Sequence, residues 1–511
     1  MKTLKTLTRW GIAASLIGIA GAALAADIRV GFSLDALTLD PGNHRNRETE
    51  TILRNMYDGL LTRDSKMQVV PELAASYRQV DTTTYEFKLR QGVKFHTGEE
   101  MTSEDIKFTF DRMIQKNRID GKTSPRGGLL GPLKEVQIAD KYTVRFLMAS
   151  PWAILPAMLP FQEVVSKAFV EKVGDKGLAT QASGTGPFKL VEWRKGDAII
   201  MERFADYYGG APAIPPVGPA KADRVIFKVI PENSSRIAAL LAGDVEIVTE
   251  VPVHMMKQIE ANKNTRVAKV NGTRSFFVAL NNTKPPFDNV LVRRAANHAL
   301  NKKLIIERIL QNTATPINGV LSPDAFGFDA SLPAYEYDVA KAKKLLAQAG
   351  YPNGIDVTLD AEGAFSEMAQ AIGSLLTKAG IRTKVQVGEG SVIRDKWDPL
   401  KPKVGDMRLT SWGNGSLDPE DIFAPTLKTN DRGNSAGYSS GVVDGLLSAA
   451  STETNPEKRA EMFRHAQKQV NADAPWIFLW VPQDIYGVSN RLKGWQPSAD
   501  SRVNLHRAYL Q

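Results

Sequence analysis

Few residues in this 511-residue chain have the type and spacing for covalent chemistry. Cysteine is absent, which removes thiol nucleophiles, disulfides and cysteine-held zinc or iron–sulfur centres. The six histidines (His44, His96, His254, His298, His465 and His506) never fall into the HxxxH spacing that puts two imidazoles on one helix face, so no metal site is expected. No nucleophile elbow and no carboxylate pair is singled out, and no catalytic residue is expected. What stands out instead is TSWGNGSLDPEDIF, residues 410–423. Its tryptophan, Trp412, has a flat apolar face and one N–H donor. Asp418-Pro419 reads as a turn and helix cap, with Glu420 and Asp421 in the first turn. Taken alone, a core tryptophan is the better account of Trp412, and capping accounts fully for Asp418.

The elements around this stretch follow from periodicity and punctuation. Tyr85, Phe87 and Leu89 alternate with Glu86 and Lys88, the period of a half-buried strand. Gly92 and His96-Thr97-Gly98 read as turns. Thr102 or Ser103 caps a helix whose Ile106, Phe110, Met113 and Ile114 share a face. Further on, Asp338 caps a helix with a stripe of Ala342, Leu345, Leu346 and Ala349, ended by Gly350 and Pro352. A strand over 355–359, a helix through Met368, Ile372 and Leu376, and a strand over 382–387 follow. A helix over 457–471 and an apolar strand over 476–481 come last. Strands alternating with helices predict an α/β lobe with a largely parallel sheet.

Composition bounds the rest. Residues 1–25 read as a cleavable secretory signal peptide: cationic Lys2, Lys5 and Arg9, an apolar run, then Ala23-Leu24-Ala25. That run of about 15 residues is short of the roughly 20 that span a bilayer, so the mature chain is expected to be exported. The leader carries three cations of a net charge of +9, leaving +6. These charges are interspersed, not clustered with aromatics, so nucleic acid is not an expected partner. The mature length predicts two or three domains.

Residues 73–113, LAASYRQVDTTTYEFKLRQGVKFHTGEEMTSEDIKFTFDRM, carry a family resemblance, joined by GTGPFKLVEWRKGDAIIMERFADYYG (184–209), KPPFDNVLVRRAANHALNK (284–302) and AKKLLAQAGYPNG (342–354). The chain resembles the periplasmic solute-binding proteins of ABC importers in the dipeptide, oligopeptide and nickel class, family 5. The resemblance implies a two-lobed α/β periplasmic binding fold (type II, cluster C-like) with a hinge crossed twice. Mapped here, the first lobe takes 26–60, 186–286 and 483–511; an inserted subdomain takes 61–185; the second lobe takes 287–482. It implies a periplasmic monomer without a cofactor. That monomer captures a small-molecule or peptide ligand between its lobes and delivers it to a membrane permease and ATPase. A sensor or chaperone role would use the same closure.

In the family the connector with the tryptophan lines the cleft, so the resemblance implies a ligand contact for Trp412. Gly413, Asn414, Gly415 and Ser416 would bring backbone amides close to the ligand. Leu34, Asp35, Ala36 and Leu37 are the first-lobe candidates, although an ordinary strand-to-helix connection accounts for them equally. Two charged anchors of the dipeptide binders are missing. Gly415 stands where they place an aspartate for the peptide amine, and residues 360–365 (Asp-Ala-Glu-Gly-Ala-Phe) lack their arginine. A plain dipeptide is therefore not expected. A longer peptide, an opine-like or sugar-like solute, or a cationic compound drawn by Asp360 or Glu362 stays open. Arg126 reads as a surface loop residue, with an anion partner as the alternative.

Overall fold

The computed structural model describes residues 27–402 and 404–511; the expected leader, 1–25, lies outside the described residues. One 14-residue strand, Trp476–Ser489, runs through both halves of the molecule. Its first part pairs with Arg274–Leu280 and Ala314–Pro316, its second part with Thr265–Asn271 and Ile247–Val248. The apolar run stops at Val481, which is why the sequence suggests a strand ending there. Hydrogen bonding carries on through the polar Gln483-Asp484 because the strand is leaving one sheet for another.

Around the second part lie Asp27–Phe32, parallel to both Arg224–Val229 and Ile247–Val248, and then the antiparallel Ala198–Arg203 and Phe188–Arg194. Around the first part, Arg274–Leu280 pairs with Met407–Gly413, which runs parallel to Ile355–Glu362 and through it to Ile381–Gly388. The expected parallel order therefore holds only where helices such as Ser366–Lys378 make the crossover. The strands crossing between the halves are antiparallel because the chain goes out and returns. By register the outward passage falls at Gly272-Thr273, not after 286, since Arg274–Leu280 is already laced to Met407–Gly413. The two crossings touch: the Gly272 N–H donates to the Pro482 carbonyl at 3.0 Å, and a Cβ on Gly272 would sit 2.7 Å from that oxygen.

Residues 276–280 and 476–482 read as unbroken apolar runs because both faces of their strands are covered. Phe276, Val278, Leu280, Ile477 and Leu479 enter one core; Phe277, Ala279, Trp476 and Phe478 enter the other. Phe277 and Trp476 stack at 3.6 Å.

A separate four-stranded antiparallel sheet (74–81, 84–89, 143–148, 133–140) carries the helix Ser103–Ile114. Tyr85, Phe87 and Leu89 are buried as their spacing predicts. Glu86 is buried as well, held by Arg78 and Arg145. Thr102 caps the helix, and Asp105 reaches back to complete a capping box.

His96 ties this sheet's turn to the 184–186 segment. Its Nε2 faces the Gly186 carbonyl at 3.0 Å, and its Nδ1 accepts from the Gly184 N–H at 3.3 Å. The neutral ring satisfies both contacts, whereas a second proton would point at an N–H. Burial, the largest cause, brings its pKa down to about 4. The unfolded chain binds this proton more readily, so this group's contribution favours unfolding progressively as pH falls from about 6.5 to 4. In an NMR titration the His96 ring resonances are expected to stay unshifted down to about pH 5; a midpoint near 6.5 would contradict the assignment.

Candidate functional site

The 410–423 stretch leaves the end of strand Met407–Gly413, where Trp412 pairs with Ser275. Trp412 is half-buried. Its N–H donates to the Asp421 carbonyl at 2.9 Å, so the donor closes the loop and is not free for a ligand. Arg432 lies 5.1 Å above the ring. Gly433 leaves room for the indole, since a Cβ there would sit 2.7 Å from it. The rest of the ring is partly open.

Beyond it, the Asn414 N–H donates to the Thr273 carbonyl, tying the connector to the crossing point. The Ser416 hydroxyl is 3.3 Å from Asn414 Oδ1 and 3.2 Å from Asp421 Oδ2. Asn414 Nδ2 and Thr273 Oγ1, both buried, have no partner among the described residues. Asp418 accepts from the Glu420 N–H as expected of a cap, and it also pairs with Arg459 at 2.5 and 2.7 Å, both side chains buried.

The opposing half meets this loop directly. Arg63 donates to the Ser416 carbonyl and, at 3.1 Å, to the Ala157 carbonyl. A Cβ built on Gly415 would lie 3.6 Å from the Phe161 ring and 3.9 Å from Arg47 Nη2; one on Gly413 would lie 3.2 Å from Arg274 Nη2 and 4.0 Å from Arg47 Nη2. Gly413 and Gly415 are thus flanked by guanidinium groups from two other segments.

The remaining sequence candidates do not gather here. Asp35 accepts from the Trp193 indole at 3.0 Å and the Gly196 N–H at 2.8 Å, so it fastens a hairpin of its own half. Ala36 is in the core, while Leu34 and Leu37 are 51% and 69% exposed. Asp360 is buried, with Lys396 at 2.8 Å and the Trp397 indole at 2.8 Å; Glu362 is paired with Arg394 at 3.2 Å and Arg408 at 3.5 Å. With their charges matched, neither draws a cationic solute.

Arg126 is 1% exposed, not a surface residue. It holds the Phe161 carbonyl, His44 Nε2 at 3.0 Å and Glu50 at 3.5 Å, and Glu163 lies at 3.8 Å. Burial first, and then Arg126, push the His44 pKa down to about 3. The sequence does contain a GxSxG pattern, Gly433-Asn434-Ser435-Ala436-Gly437, against the expectation. Ser435 sits in the loop between helices Glu420–Leu427 and Gly441–Thr452, not on a strand-to-helix turn, and among the described residues no hydrogen bond joins it to a histidine. The elbow geometry is therefore missing.

Sequence reasoning missed four arginines: Arg45 and Arg47 on one half, Arg274 beside the crossing, and Arg432 on the other half. No spacing links them, so no sequence signal could have assembled them. A cavity of about 740 Å³ lies next to the connector; its walls come mostly from 54–72, 207–221 and 494–509, with Arg63, which holds the Ser416 carbonyl, and Asp324 among them. Among the described residues, no group of three or more His, Asp or Glu side chains could hold a metal ion.

Residues 68–434 match the sequence model of the bacterial extracellular solute-binding proteins, family 5 Middle. The glutathione-binding protein GsiB of Escherichia coli (strain K12) is 27% identical, with 99% of this chain and 98% of GsiB covered. Among solved structures, HbpA2 from Haemophilus parasuis superposes with a TM-score of 0.87 at 23% identity, covering 95% of this chain and 100% of that one. DppA from Helicobacter pylori, in complex with the peptide STSA, superposes with a TM-score of 0.76 at 28% identity, covering 95% and 98%.

Proposed function

Because the chain belongs to the bacterial extracellular solute-binding proteins of family 5, we propose that it captures a peptide-type solute between its halves and delivers it to the permease and ATPase of an ABC importer. Its fold is the mixed α/β, two-lobed fold of type II periplasmic binding proteins. The relatives named above, one for glutathione and one solved with a tetrapeptide, support a peptide-type ligand. The reading assigns the protein to the periplasm as a monomer with no covalent step. Among the described residues no helix is long and apolar enough to cross a membrane.

The observation that carries this reading is the meeting of both halves at one loop: Arg63, Arg47 and Phe161 face Gly413 to Ser416 next to the paired crossings. A solute held there gains contacts with both halves only when they close, and its differential affinity for the closed form drives the change. The two-strand crossing beside Gly272 acts as the hinge in this account.

Calorimetry with glutathione, STSA and dipeptides, paired with small-angle scattering, tests it. Binding with a smaller radius of gyration is the expected result; unchanged scattering with a bound ligand would reject it. Trp412→Ala is expected to weaken the bound ligand at least tenfold, about 1.4 kcal/mol. An unaltered dissociation constant would remove Trp412 from the site.

A further inference from the structure

Arg45, Arg47, Arg274 and Arg432 come from three separate segments and converge around Trp412 to Gly415. Arg47 Nη2 lies near both Gly413 and Gly415, and Arg274 Nη2 near Gly413. Arg432 covers Trp412, and the charges of Arg45 and Arg432 act on each other. Their neighbours are mostly neutral: Arg47 donates to the Ser501 hydroxyl at 2.9 Å, and Arg274 to the Ser411 hydroxyl at 3.2 Å.

Among the described residues, none of the four makes an ion pair with a carboxylate. Two carboxylates act on these arginines without forming an ion pair: Asp484 on Arg47 and Arg274, and Asp421 on Arg45. Asp484 accepts from Ser501, and Asp421 accepts from Ser416; burial raises the pKa of both. Gathering like charges costs free energy that a bound counter-charge returns. The unpartnered donor at Asn414 Nδ2 is a second, independent sign of a polar ligand at this loop.

We propose that the solute taken by this cleft is anionic, with carboxylate or phosphate oxygens held by Arg47 and Arg274 while Arg45 and Arg432 add to the field. This rests on the cleft reading above and specifies its ligand. Planar guanidinium groups match such oxyanions through paired N–H donors. The missing aspartate at Gly415 fits the same account: a carboxylate there would fall within reach of Arg47 and compete with the ligand for it.

Calorimetry against matched pairs tests the proposal: glutathione and its diethyl ester, STSA and its C-terminal amide, and glucose 6-phosphate and glucose. At least one probe carrying a carboxylate or phosphate is expected to bind about tenfold or more tightly than its partner with that group blocked or absent, and the pair that does so identifies carboxylate or phosphate as the source. For that probe, Arg47→Gln and Arg274→Gln are each expected to cost about tenfold, with affinity falling as salt rises. Gly415→Asp is expected to abolish the preference for charge while leaving the melting temperature unchanged or higher. Equal affinity for the members with and without the oxyanion, with normal compaction, would overturn the anionic assignment alone. Failure of all three charged probes to bind would also overturn it, and binding without compaction would overturn the cleft reading with it.

Discussion

Arg459→Met is expected to lower the stability of the folded protein by about 3–5 kcal/mol, the cost of stranding one member of a buried ion pair. Arg459 is the sole basic partner of Asp418 among the described residues, in a fork of two bonds at 2.5 and 2.7 Å. Its Nε donates to the Ala450 carbonyl at 2.9 Å, and its guanidinium stacks on Phe326 and Phe463. The pair locks the end of the 410–423 connector to helix Pro456–Asp473, so its loss loosens the loop that faces the opposing half.

A pH signature follows from Glu420, which lies beside the pair. Burial, then Asp418, raise its pKa to about 7, and Arg459 pulls it down. A carboxyl whose folded pKa exceeds its unfolded value stabilises fully below the unfolded pKa, and that contribution is lost as pH rises through the folded one. Without Arg459 the folded value moves up, so the deficit of the variant is expected to be larger at pH 8 than at pH 6. Urea unfolding at both pH values checks this. A loss under about 1 kcal/mol, typical of exposed pairs, would show that the pair is not buried in solution. Arg459→Met combined with Asp418→Leu is expected to recover part of the loss at pH 6, because the stranded Asp418 charge is gone although its cap on the Glu420 N–H goes with it.

Gly184→Ala is expected to be the second most damaging change, at about 3 kcal/mol. A Cβ at residue 184 would lie 2.2 Å from the Met56 carbonyl oxygen and 2.6 Å from the Tyr57 ring; one on Gly186 would lie 2.5 Å from the Met56 carbonyl carbon. Backbone atoms cannot step aside as a flexible side chain can. The same segment is fixed by Gly186 N–H to the Met56 carbonyl at 2.9 Å and His96 N–H to the Gly184 carbonyl at 2.9 Å. Close backbone approach explains the two glycines of the 184–186 Gly-Thr-Gly. Gly128→Ala, with nothing within 4 Å of its Cβ, is the control and is expected to stay within about 0.5 kcal/mol. Equal melting temperatures for the two variants would reject the packing account.

The outcomes at Trp412, Arg126 and the 476–489 strand show where sequence reading succeeds and where it stops. Capping by Thr102 and Asp338 and the buried alternation of Tyr85, Phe87 and Leu89 were legible because each depends on neighbours a few residues away. The 476–489 strand was cut short because its core changes partway along, leaving polar Gln483-Asp484 at the join. Arg126 was misread because nothing local announces that Phe161, His44 and Glu50 will surround it. Trp412 lies in the connector that the sequence singles out, and its N–H is bound within that connector.

Sequence alone therefore determined the α/β class, the family resemblance and the position of one unusual loop, since composition, periodicity and short-range capping are properties of contiguous residues. Tertiary structure alone decided which charges are paired: Asp360, Glu362 and Arg126 are paired with partners distant in the chain, while Arg45, Arg47, Arg274 and Arg432 meet without an ion pair among the described residues. The reason is electrostatic. Whether a charge binds a ligand depends on what lies within a few ångströms in space, and chain order does not fix that distance.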